Sequence, residues 1–144
     1  MKKNIPAIKH PGAALIIPFI NRNEVVLLRQ YRPVIKKYLY ELPAGTREKD
    51  EAALACARRE LMEEAGYSAA KFIKLGSIYP VPGYSTEKIE IYQALNLKPV
   101  KRCPEIDEIL TQSIADKKRI RRLFRTGQIT DAKTICAFAL CGWL

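Results

Sequence analysis

Three carboxylates crowd into five residues: Glu60, Glu63 and Glu64. If the surrounding stretch is helical, Glu60 and Glu64 lie one turn apart on one face, with Glu63 beside them. Like charges at that spacing repel and weaken a helix by roughly a few tenths of a kcal/mol. A cation between them would offset that cost, and oxygen donors suit Mg²⁺, which takes one or two carboxylates and completes its shell with water and substrate phosphate. Taken alone the cluster would read as a solvated acidic face answered by Arg58 and Arg59. It does not stand alone. Gly45 is followed six positions on by Glu51, then Arg59-Glu60, then Glu63-Glu64, then Gly66, with the bulky apolar Leu61 and Tyr67 between and after them. The spacing Gx5Ex7REUxEExGU, where U is bulky and apolar, is filled at every fixed position, which favours the metal site over the acidic face.

Residues 50–65 contain neither proline nor glycine and are rich in Ala, Leu, Glu and Arg. This composition predicts one helix, with Asp50 as N-cap and Gly66 as the glycine that ends it. Leu54, Ala57 and Leu61 recur at helical spacing and supply its apolar face.

This pattern is the Nudix box, and the chain resembles the Nudix hydrolases, which split a pyrophosphate joining a nucleoside to another group. The resemblance implies that Glu60 and Glu64 bind metal, Mg²⁺ with Mn²⁺ as its substitute, and that Glu63 assists directly or through water. It also implies that the carbonyl of Ala44 is a backbone ligand and that Glu51 and Arg59 pair to fix the loop against the helix. Gly45 is a backbone residue with no chemistry of its own.

The elements around the box follow from pattern. Residues 12–20 form an apolar, β-rich run and 24–31 (EVVLLRQY) a second, joined by the polar turn Asn21-Arg22-Asn23, so a hairpin is predicted. Residues 38–42, 72–79 and 86–97 read as further strands, 109–114 as a short one, and 43–45 as a loop leading to the helix. Residues 98–108 hold two prolines and mixed charge and read as loop. Residues 116–125 and 131–143 read as helices. Strands, helix, strands and two helices make an α+β layered domain; the resemblance implies the Nudix fold, an α/β/α sandwich with a mixed sheet.

Bulk properties narrow the class. A chain of 144 residues at 48% hydrophobic is expected to be a single domain with a real core, spanning 1–144 with no N-terminal β-domain. No apolar run approaches the ~20 residues needed to cross a membrane, and no signal-peptide core follows the basic N-terminus; a cytoplasmic protein is expected. Cys56, Cys103, Cys136 and Cys141 form no CxxC pair and read as idle thiols. His10, the one histidine, reads as a surface residue. A net charge of +10 favours anionic partners. A phosphorylated small molecule accounts for it as well as nucleic acid does, and nucleic acid is not favoured. Much of the excess lies in KKRIRRLFR (117–125), an amphipathic helix with Ile120, Leu123 and Phe124 inward and a solvated basic face outward.

Outside the box, LRQYRP (28–33), YELPAG (40–45), YPVPGYS (79–85) and GQITDAKT (127–134) resemble the ADP-ribose pyrophosphatase branch, and Pro82 stands fifteen residues after Tyr67, where that branch carries a marker proline. The resemblance spans about residues 10–139. It implies Mg²⁺-dependent hydrolysis of a nucleoside diphosphate derivative, ADP-ribose to AMP and ribose 5-phosphate, with Arg32 on substrate phosphate, Glu87 at the substrate's distal end and Tyr84 stacking on a base or closing its loop. In this branch the general base is often a Glu on the loop after the long strand. Glu108 is preferred here and Glu105 comes second, with Glu63 competing. Only about ten residues precede the first strand, whereas typical members carry an extra domain that builds a swapped dimer, so homodimerisation and the substrate both stay open. The alternatives are dinucleoside polyphosphates, NADH, other nucleotide sugars or nucleoside triphosphates. A Nudix module that binds nucleotide or RNA without cleaving it is the remaining option.

Overall fold

The computed structural model describes residues 4–102 and 110–144. Seven strands, β1 Ala13–Asn21, β2 Glu24–Arg32, β3 Lys37–Glu41, β4 Ala44–Thr46, β5 Tyr67–Ile78, β6 Ile89–Pro99 and β7 Leu110–Asp116, join one sheet in the order β3-β2-β1-β6-β5, with β4 on β1 and β7 on β2. β1 and β6 run parallel and the other pairs are antiparallel, so the sheet is mixed. Helix α1 spans Ala53–Glu60 and runs into a π-helical turn, Leu61–Ala65; α2 spans Lys117–Arg125 and α3 Ala132–Leu140.

The central strands read as apolar runs because both their faces are covered. In β1, Ala13, Leu15 and Ile17 point into a core shared with Ile120 and Leu123 of α2 and Ala137 and Phe138 of α3. The alternate residues Ala14 and Ile16 point into a second core with Cys56, Ala57, Leu61 and Ala65. β2 divides likewise, Val25 and Leu27 to one side and Val26 and Leu28 to the other. The result is the expected α/β/α sandwich with a mixed sheet.

One irregularity of the sheet creates the cleft. Val25 pairs with Phe19 of β1 on one edge and Ala115 of β7 on the other; three residues on, Leu28 pairs with Glu41 of β3 and Gln112 of β7. β3 has therefore replaced β1 on that edge. At its own start, β1 pairs through Ala13, Ala14 and Leu15 with β4 on the edge opposite β6. The two central strands diverge, and the β3–β4 segment fills the wedge, stitched by Ile16 N–H donating to the Pro43 carbonyl at 2.9 Å.

Several sequence expectations are corrected. Ala44 and Gly45, expected in a loop over 43–45, instead open β4 (Ala44–Thr46), because the free edge of β1 offers it partners. Asp50 does not cap α1: its φ is +59°, a left-handed turn conformation, and Ala52 occupies the N-cap without a side-chain bond. The expected single helix ends at Glu60 and widens into the π turn. β5 begins at Tyr67, earlier than expected, and β6 at Ile89, later. Phe124 is 40% exposed, while Ile120 and Leu123 are buried. Helix α3 stops at Leu140, because the chain turns back through Gly142 (φ +76°) and stacks Trp143 on Phe138, ring centroids 5.7 Å apart. The starts of α2 and α3 agree with expectation: Asp116 accepts from Arg119 N–H at 2.7 Å and Asp131 from Thr134 N–H at 3.2 Å. Burial pushes the Cys56 thiol up to about 12 and the Cys141 thiol up to about 11, which leaves both unreactive; Cys103 lies outside the described residues. Among the described residues, no helix is long and apolar enough to cross a membrane.

Phe138 is fully buried and holds α3 to the sheet. Phe138→Ala is expected to lower the unfolding free energy by about 3–5 kcal/mol, read as a lower urea midpoint with little change in slope.

Candidate active site

The box residues are held by one arginine. Arg59, near the end of α1, donates from Nε to Glu51 Oε2 and from Nη2 to Glu51 Oε1, both at 2.9 Å, a bidentate pair that ties the loop after β4 to the helix. Nη2 also reaches the Thr46 carbonyl at 3.1 Å, and Nη1 reaches Glu60 Oε1 at 2.8 Å and Glu63 Oε2 at 3.2 Å. The Arg59 hydrogen bonds pull the Glu51 carboxyl down to about 2, and the same bonds raise Arg59 above its ordinary range. Charge-assisted bidentate pairs of this kind add geometric specificity as well as energy. Arg47 Nε donates to the Glu51 carbonyl at 2.7 Å and Cys56 Sγ to the Gly45 carbonyl at 3.4 Å, so the loop's backbone is held as well.

The loop is drawn so close that a Cβ at Gly45 would stand 1.9 Å from Glu60 Oε1, so a side chain there would displace the Glu60 carboxylate. Across the π turn, Glu64 Oε2 accepts the Ala44 N–H at 2.9 Å. Two carboxylates, each under a tenth exposed, thus lie against the backbone of Ala44 and Gly45. A π turn within a helix is often found at functional sites. Among the described residues no three His, Cys, Asp or Glu side chains form a closed cage. Two buried carboxylates beside a backbone segment are instead the open, all-oxygen donor set of a hard divalent cation that keeps room for water and phosphate. The residues fit a divalent metal.

These groups line one wall of an open cleft of about 550 Å³. Gln30 and Arg32 come from the diverging end of β2, Asp131 and Lys133 from the start of α3, and Pro80 and Glu87 from the segment between β5 and β6. The structure therefore brings Ala44, Gly45, Arg59, Glu60, Glu64, Arg32 and Glu87 together. Glu63 is paired with Arg59 and does not line the cleft, and Glu51 lies behind Arg59. Tyr84 is 58% exposed and is not among the residues that line the cleft; its carbonyl accepts Ile8 N–H at 2.7 Å, which ties its loop to the N-terminal segment. Glu105 and Glu108 lie outside the described residues. His10 is more than a surface residue: Nδ1 accepts Gly12 N–H at 3.0 Å, and Nε2 lies 3.4 Å from Thr46 Oγ1 and 3.8 Å from Glu87 Oε1, at the cleft's rim.

Sequence reasoning missed Lys133, Asp131 and Glu41. Glu41 is 1% exposed and accepts from Arg32 Nε at 2.8 Å, Arg32 Nη2 at 2.5 Å and Lys133 Nζ at 3.1 Å. Burial alone would push its carboxyl up, but the Arg32 hydrogen bonds and the nearby Lys133 outweigh that, and the net shift is down. The available signal was a Glu set between the bulky Tyr40 and Leu42 at the end of an expected strand, because a charge that becomes buried requires partners.

Comparison with known proteins agrees with the geometry. Residues 9–118 match the family model for the NUDIX domain. The chain is 30% identical over 135 residues to an ADP-ribose pyrophosphatase of Bacillus subtilis, covering 90% of this chain and 71% of that protein. It is 38% identical over 132 residues to a methanol dehydrogenase activator of Bacillus methanolicus, with the same two coverages. It is also 30% identical to a GDP-mannose pyrophosphatase of Citrobacter koseri, covering 93% of this chain and 78% of that one. A crystal structure described as an ADP compounds hydrolase superposes with a TM-score of 0.82 at 25% identity, covering 90% of this chain and 70% of that one.

The Glu51–Arg59 pair makes stability depend on pH. Because folding lowers the Glu51 pKa from 4.5 to about 2, its contribution is complete above about pH 4.5 and is lost as pH falls toward 2. Glu51→Gln is expected to melt below the parent protein at pH 7. Melting curves at pH 7, 4 and 3 should show that gap narrowing as the pH drops.

Proposed function

The chain belongs to the Nudix hydrolase family, and we propose that it is a Mg²⁺-dependent pyrophosphohydrolase whose substrate is ADP-ribose. The observation that carries this reading is the single cleft in which buried Glu60 and Glu64, packed on Ala44 and Gly45, face Arg32. A pyrophosphate needs that combination, a metal-binding wall and a cationic one. The substrate choice draws support from relatives named for ADP-ribose and for ADP compounds; others are named for GDP-mannose.

In this reading Glu60, Glu64 and the Ala44 carbonyl hold the metal. Mg²⁺ there supplies charge neutralisation at the phosphate oxygens and a more acidic water. Arg32 binds a phosphate oxygen across the cleft, Glu87 meets the distal ribose, and Arg59 with Glu51 keeps the loop in place. Water attacks one phosphorus of the bridge, the bond from that phosphorus to the bridging oxygen breaks, and AMP and ribose 5-phosphate leave. The proton removed from water passes to a carboxylate, with Glu108, Glu105 and Glu63 as the candidates. The reaction is proposed to take place in the cytoplasm.

The test is release of AMP from a panel of ADP-ribose, GDP-mannose, NADH, diadenosine polyphosphates and nucleoside triphosphates, with Mg²⁺ and with EDTA, scoring GMP for GDP-mannose. Mg²⁺-dependent turnover strongest on ADP-ribose is the expected result; preference for GDP-mannose would replace the substrate and keep the chemistry. Glu64→Gln should fold as the parent does and lose turnover by several orders of magnitude. Near-parental activity in that variant would remove Glu64 from the metal site.

A further inference from the structure

The wall of the cleft opposite the box is built around a buried anion. Glu41 has two cations on one carboxylate, and both end on the same oxygen: Arg32 Nη2 at 2.5 Å and Lys133 Nζ at 3.1 Å from Oε2. A single partner would be enough to compensate its charge. The second cation is in turn fixed by Asp131, whose Oδ1 accepts from Lys133 at 2.9 Å. Asp131 is itself tied down, since its Oδ2 accepts from Thr134 Oγ1 at 2.6 Å, and Thr134 Oγ1 accepts Leu42 N–H at 3.1 Å. The network thus closes from β3 through α3 back to the residue after Glu41. It locks two long side chains, from elements 92 residues apart for Glu41 and Lys133, side by side at the cleft.

Neither cation is used up. A guanidinium has five N–H donors and an ammonium three; Arg32 gives two contacts to Glu41, and Lys133 gives one to Glu41 and one to Asp131. Arg32 and Lys133 both line the cleft, whereas the Glu41 carboxylate does not. The wall offers spare donors on fixed cations and hides the anion that fixes them.

We propose that Arg32 and Lys133 form a two-cation clamp for the substrate's pyrophosphate, and that Glu41 is the positioning residue that sets it. Lys133 touches the ligand; Glu41 acts through Arg32 and Lys133. The inference rests on the pyrophosphatase reading for its ligand class and adds the second phosphate-binding cation and the group that aims both. Rigid, pre-oriented donors bind tighter because less freedom is lost on binding.

Binding of inorganic pyrophosphate in the presence of Mg²⁺, measured by titration calorimetry, tests this independently of turnover. Lys133→Met is expected to weaken binding by at least roughly tenfold, with Lys133→Arg recovering most of the loss through its retained charge. Glu41→Gln gives the sharper result. It removes a negative charge beside the phosphate site, so Coulomb attraction alone predicts tighter binding; positioning predicts weaker binding, with KM raised far more than kcat is lowered. Lys133→Met keeps the proposal testable if Glu41→Gln does not fold. Unchanged affinity in folded Lys133→Met, tighter binding in Glu41→Gln, or no pyrophosphate binding by the parent protein each overturns the clamp. Parent protein that binds pyrophosphate through Lys133 yet turns over no ADP-ribose would leave the clamp standing and remove the substrate assignment instead.

Discussion

Arg59 is the point on which the site turns. Its guanidinium joins Glu51 from the loop, the Thr46 carbonyl, and Glu60 and Glu63 from the helix. Without that cation, several carboxylates would face one another in a half-buried space, and nothing would draw the loop after β4 onto the helix. With it, the loop comes so close that a side chain at position 45 would displace the Glu60 carboxylate. Arg59 thereby compensates charge that Glu60 and Glu63 present on the helix, and fixes the loop backbone beside them.

The cleft also depends on the sheet. A regular hairpin would keep β1 and β2 paired along their length and bury the ends of both. Here they separate after a few residues, and β3 and β4 each take up one of the freed edges. The opening lets Gln30 and Arg32 emerge beside Ala44 and Gly45. Helix α3 then brings its N-terminal turn to the same place, because Phe138 and Ala137 anchor its far end in the core. Cations on one side and carboxylates on the other are therefore set by packing some distance from the chemistry.

Buried charge does similar work on both walls. Glu60 and Glu64 on one, and Glu41 on the other, are each among the few buried charged residues. Burying a carboxylate is costly unless cations and donors meet it, so each one fixes the side chains or backbone around it. Two of the three lie on the box wall of the cleft, and the third holds Arg32 and Lys133 on the other.

The sequence by itself determined the box and most of the elements. The spacing from Gly45 to Tyr67 identified Glu60, Glu64, Glu51 and Arg59, because their contacts are local: loop and helix are adjacent in the chain, and helical periodicity fixes which residues share a face. The hairpin, the starts of the two C-terminal helices and the layered α+β plan were legible for the same reason. The tertiary structure decided what depends on distant segments. That residues 44–46 form a strand and that the Tyr84 loop is tied to Ile8 follow from backbone partners far along the chain. The pairing of Glu41 with Lys133 joins β3 to α3, and no local period or propensity encodes which cation will meet a given buried carboxylate; only the packing of the two elements does.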